Sequence, residues 1–71
     1  MSAGLHEALL EAHARADRAG LVDLYARAAD RQNDVDAACF FLTHAYVFAL
    51  ETGHPAATAL HGRLKARGRE A

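Results

Sequence analysis

The sequence predicts an all-α domain of four short antiparallel helices, and three observations carry that prediction. The chain has 71 residues and a single proline, Pro55, while Ala is its commonest residue and β-branched residues are few. Ala enters a helix at no side-chain entropy cost and lets helices approach closely. Apolar residues recur at helical spacing along most of the chain, and Asp, Asn, Gly and Pro interrupt that pattern at short, regular points.

Taken in order, the first helix is expected from about Gly4 to Arg15, with Ser2 a candidate cap. Leu5, Leu9, Ala12 and Ala16 share one face, and Glu7, Glu11 and Arg15 face away. Asp17 is placed to cap the next helix, accepting from the N–H groups that open it. That second helix runs to about Arg31, with Leu21, Leu24, Tyr25 and Ala28 inward and Asp23, Arg27 and Asp30 opposite. Gly20 lies inside it at a cost of about 1 kcal/mol relative to Ala, or marks a later start.

Gln32-Asn33-Asp34 forms the next turn, and Asp34 is placed to cap the third helix. This helix is expected from Val35 to Thr52, closed by Gly53 at the left-handed position after its end. It holds the apolar weight of the chain: from Ala37 to Leu50 only Thr43 and His44 interrupt the apolar run. Pro55 suits the first position of a last helix running to about Arg67, with Ala57, Leu60 and Leu64 inward and Gly68 at its end. Loops this short make sequential helices antiparallel neighbours.

At this length the chain is one domain, 1–71, and a marginally stable one. A lone cysteine, Cys39, excludes an internal disulfide, so efficient helix packing or self-association must supply the support. The first ten residues lack a basic stretch followed by an apolar one, and the apolar run falls short of the roughly 20 residues a bilayer requires. A soluble, cytoplasmic protein with no membrane contact is expected.

Charge is unevenly spread. Residues 1–60 carry four Arg against eight Asp/Glu, whereas Arg63, Lys65, Arg67 and Arg69 face only Glu70 in residues 61–71. Cations at the end of a last helix complement its dipole. Nucleic-acid binding through 63–69 is the less favoured reading, since the acidic remainder opposes it and no aromatic lies among these residues for base stacking.

Leu24-Tyr25, then Asn33-Asp34-Val35-Asp36-Ala37-Ala38, then Leu42, Ala45 and Tyr46 resemble the LxxLY…GDxxAA…Y/FxxAL pattern of tetratricopeptide-type (TPR-like) hairpins, with Asn33 where that family has Gly. Ala49-Leu50-Glu51-Thr52-Gly53-His54-Pro55 looks like the family's helix end and the proline opening its next repeat. Leu60, Leu64 and Gly68-Arg69-Glu70-Ala71 look like the opening helix of a second repeat. The resemblance spans about residues 18–71 and implies α-solenoid-type helical hairpins and protein–protein recognition rather than chemistry. The chain is also similar to short bacterial proteins of this architecture, a likeness that implies no particular function. One hairpin and a half leaves faces open, and a homodimer is the simplest way to close them.

Projection of the third helix at 100° per residue divides it. Ala38, Phe41, Leu42, Ala45, Phe48 and Ala49 share the face that holds the domain together, with Tyr46 at its edge. Asp36, Thr43, His44 and Glu51 lie opposite, and Phe40 and Val47 lie among them. Soluble monomers avoid such an apolar patch on the wet side. Either the first helix folds back over Phe40 and Val47, or Phe40, Thr43, His44 and Val47 form an interface with a second copy or another protein.

Five histidines raise the alternative of a small ligand- or metal-binding helical protein. Zinc sites on helices favour His at i, i+4, and no two histidines here are four apart. His6 and His13, like His54 and His61, are seven apart, a separation of about 10 Å along a helix. Cys39 has Asp34 and Asp36 nearby, which disfavour a thiolate, so it reads as core. Tyr25 and Tyr46 are expected to meet between the second and third helices. No nucleophile elbow, phosphate loop or paired-carboxylate motif is present. An enzyme is not expected, and neither is a cofactor.

Overall fold

The computed structural model describes residues 4–68, and these are all-helical, with no strand among them. The helices are α1 (Gly4–Ala14), α2 (Arg18–Asp30), α3 (Val35–Thr52) and α4 (Ala57–Ala66). Ser2 and residues 69–71, including Arg69 of the basic tail, lie outside the described residues. None of the helices among the described residues is long and apolar enough to cross a membrane.

The caps sit where local chemistry demands them. Asp17 opens α2 by accepting the Gly20 N–H at 3.1 Å, and Asp34 opens α3 by accepting the Ala37 N–H at 3.0 Å. Gly53 closes α3 at φ 64°, with the His54 N–H donating back to the Ala49 carbonyl at 2.9 Å. This six-to-one closure requires a left-handed residue, which Gly supplies without steric cost. The same closure ends α1, where the Asp17 N–H donates to the Ala12 carbonyl at 2.9 Å, but the left-handed position is held by Ala16 at φ 55°. Ala16, expected on the inward face of the first helix, is instead the exposed residue that turns the chain into α2.

The last helix begins two residues later than a proline at its first position would give. His54 to Ala57 form a turn in which the Ala57 N–H donates to the His54 carbonyl at 3.1 Å and the Ala56 N–H to His54 Nδ1 at 3.0 Å. That three-residue closure is tighter than an α-turn, so regular helix starts at Ala57.

The core is built from small residues. Ala29, Ala45 and Ala49 are buried beside Leu42, Leu60, Leu64, Val22 and Cys39, and Phe41, Phe48 and Tyr46 close over its edges. Val22 and Ala29 join Leu21 and Ala28 in the buried set, so α2 buries a wider face than the four residues expected of it. Ala lets α2 and α3 approach closely, at the expense of large side chains in the interior.

Among the described residues, backbone approaches join only helices consecutive in sequence: α1 to α2, α2 to α3 and α3 to α4. The Cα envelope is correspondingly flat, 32 × 29 × 14 Å. α1 lies on α2 and does not cross to the outer side of α3. Phe40 is 59% exposed and Val47 45% exposed, so the first helix does not cover them.

Candidate protein interface

α3 carries side chains to three different surroundings. Toward the core point Ala38, Cys39, Leu42, Ala45 and Ala49, all buried. Toward α2, Tyr25 lies along a ridge of α3 residues spaced one helical turn apart. Its ring is 6.1 Å from Phe41, 5.2 Å from His44 and 5.9 Å from Phe48, nearly parallel to the last at 15°. The Tyr25 hydroxyl is hydrogen-bonded to His13 Nε2 at 2.8 Å, and the His13 ring meets Phe48 edge-on at 6.1 Å. One tyrosine thus ties α1, α2 and α3 together.

Tyr46 does not meet Tyr25 as the sequence suggested. It turns the other way and stacks on His61 of α4, centroids 5.5 Å apart at 12°.

The third surrounding is solvent. Phe40 and Val47 stand there with Thr43, as their spacing predicts, and Leu50 joins them at 58% exposure. These four residues are spaced 3-4-3 along α3, which places them in one seam. His44 sits at its border and is half-buried. Its ring packs on Phe40 at 4.4 Å and on Tyr25, and because the Phe40 carbonyl can only accept, His44 Nδ1–H donates to it at 2.9 Å. The seam therefore rests on a braced aromatic base.

Leu50 is the member that sequence reasoning missed. Its signal was available, since it continues the 40, 43, 47 series by three residues. At the seam's N-terminal end, Asp36, Cys39, Phe40, Thr43 and His44 line an open depression, floored by the buried Cys39. Charges flank the seam at both ends. Asp36 lies at one end, and at the other Glu51 is bridged by Arg18 at 3.3 Å.

The histidines are distributed rather than gathered. His13 is engaged with Tyr25, His44 with Phe40, His54 with the turn before α4 and His61 with Tyr46. Among the described residues no group of three or more His, Cys, Asp and Glu side chains is placed to hold a metal ion. In the basic tail, Arg63 reaches back across the molecule to pair with Asp30 of α2, Nη2 to Oδ1 at 2.5 Å.

Compared with known protein families, curated proteins and solved structures, the chain matches none.

Proposed function

We propose that this chain is a small protein–protein interaction module of TPR-like, antiparallel-hairpin type that self-associates through the outer face of α3. The observation that carries the reading is the uncovered 3-4-3 seam of Phe40, Thr43, Val47 and Leu50 on the longest helix. A stripe of this kind on a soluble chain marks an interaction site more often than a bare surface. An antiparallel α2–α3 hairpin is supported by the four-residue connection 31–34 and by the Arg18–Glu51 bridge, which joins the start of α2 to the end of α3.

Phe40, Thr43, His44 and Val47 are the residues assigned to the interface. One helix seam buries less than the roughly 800 Å² per partner of a standard complex, so the association is weak, with a dissociation constant on the order of micromolar. Size-exclusion chromatography with light scattering tests this. The mass should rise from monomer toward dimer as concentration increases through the micromolar range, and Phe40→Asp should abolish the rise. A monomer at high micromolar concentration contradicts the reading.

A further inference from the structure

The depression at the N-terminal end of the seam has a specific outline. Asp36, Cys39, Phe40 and Thr43 stand at i, i+3, i+4 and i+7, the four-residue diamond that receives a single knob when two helices interlock. The side chain that fits such a hole is a branched aliphatic one on a facing helix. α3 itself carries one: Leu50, exposed at 58%, ten residues beyond Phe40 in the same seam.

We propose that the occupant of this depression is Leu50 of a second copy, so that two α3 helices pair antiparallel about a twofold axis. The proposal rests on the self-association reading and adds the partner's orientation and register. With Leu50 of one copy beside Phe40 of the other, Thr43 faces Val47, and the twofold repeats both contacts. The hole that receives Phe40 is then formed by Val47, Leu50 and Glu51, at i, i+3 and i+4, and is closed by the turn after Gly53 in place of a fourth helical residue.

Polar groups at the ends agree with this orientation. The register brings Asp36 of one copy to the C-terminal end of α3 of the other, where the turn after Gly53 carries His54. His54 Nδ1 already accepts the Ala56 N–H, so its neutral ring carries the proton on Nε2 and can donate it to a carboxylate, which has several acceptor sites. The antiparallel arrangement also sets the positive end of one helix dipole beside the negative end of the other. A parallel pair instead opposes Asp36 to Asp36 and Glu51 to Glu51.

The register sets Thr43 of one copy opposite Val47 of the other, both exposed, which makes the test a cross-link between them. Thr43→Cys with Val47→Cys, in a Cys39→Ala background and oxidised with diamide, should give a covalent dimer linked 43 to 47 by chymotryptic peptide mapping. Disulfides 43-to-43 and 47-to-47, or no covalent dimer from a chain that light scattering shows to be dimeric, overturn the antiparallel register while leaving self-association standing. Independently of any cysteine, Leu50→Glu should weaken dimerisation at least tenfold, whereas Leu10→Glu, at an equally exposed site on α1, should not; equal effects overturn the proposal. A wild-type chain that stays monomeric removes the self-association reading and this proposal together.

Discussion

The carboxylate of Asp17 occupies the space that a Cβ on Gly20 would need. Asp17 Oδ1 accepts the Gly20 N–H at 3.1 Å, and an added Cβ would lie 2.9 Å from the Asp17 Cγ. The glycine inside α2, costly by helix propensity, is the condition for the cap that starts the helix.

The usual substitution rule is therefore reversed at this position. Gly→Ala inside a helix gains about 1 kcal/mol, but here it must displace a cap of about the same worth. Gly20→Ala should leave stability unchanged or lowered in the wild-type chain and raise it by about 1 kcal/mol in an Asp17→Ala background. Urea denaturation of the four chains checks this, and equal gains in both backgrounds would refute the coupling.

Ala16 offers the opposite case. A non-glycine residue in the left-handed region costs about 1–2 kcal/mol, and Ala16 holds φ 55° at the end of α1. Ala16→Gly should stabilise the chain by about 1 kcal/mol and raise the melting temperature by about 4–8 °C. A lowered melting temperature contradicts the strain argument.

The boundaries of α2 and α3 were legible because their signals are local: Asp17, Asp34 and Gly53 each act within one turn of where they stand. The start of α4 was not, since Pro55 permits either an α-turn or the tighter turn that His54 Nδ1 stabilises by accepting the Ala56 N–H. Phe40 and Val47 stood out because large apolar residues break a polar sector. Leu50 did not stand out, because the projection sets it toward the core-side edge beside buried Cys39, although its spacing continues the 40, 43, 47 series. Tyr25 and Tyr46 illustrate the same limit. Which neighbour a half-buried ring selects depends on helix rotation, which spacing alone does not set.

The core rests on few large side chains, and Leu42 is wholly buried in a cluster with Ala29, Ala45, Ala49, Val22, Leu60 and Leu64. Leu42→Ala removes this side chain and leaves a cavity, at a cost of about 3–5 kcal/mol. Against the few kcal/mol that stabilise a domain of this length, the chain should be largely unfolded at 25 °C by far-ultraviolet circular dichroism. Retention of full helix content would show that support comes from elsewhere.

Tyr25 should divide into two contributions. Tyr25→Phe keeps the stacking on Phe41 and Phe48 and loses the bond to His13, at a cost of at most about 1 kcal/mol because the bond is exposed. The loss should be local, and hydrogen exchange should accelerate in α1 more than in α3. Uniform acceleration through both helices would argue against Tyr25 as the tie to α1.

The central claim is that the outer face of α3 is where this protein meets its partner, and a dilution series followed by 1H–15N correlation spectroscopy tests it most directly. The amides of Phe40, Thr43, Val47 and Leu50 should shift with concentration in the micromolar range while those around Leu10 on α1 stay fixed. Spectra independent of concentration, or shifts gathered on α1, would contradict it.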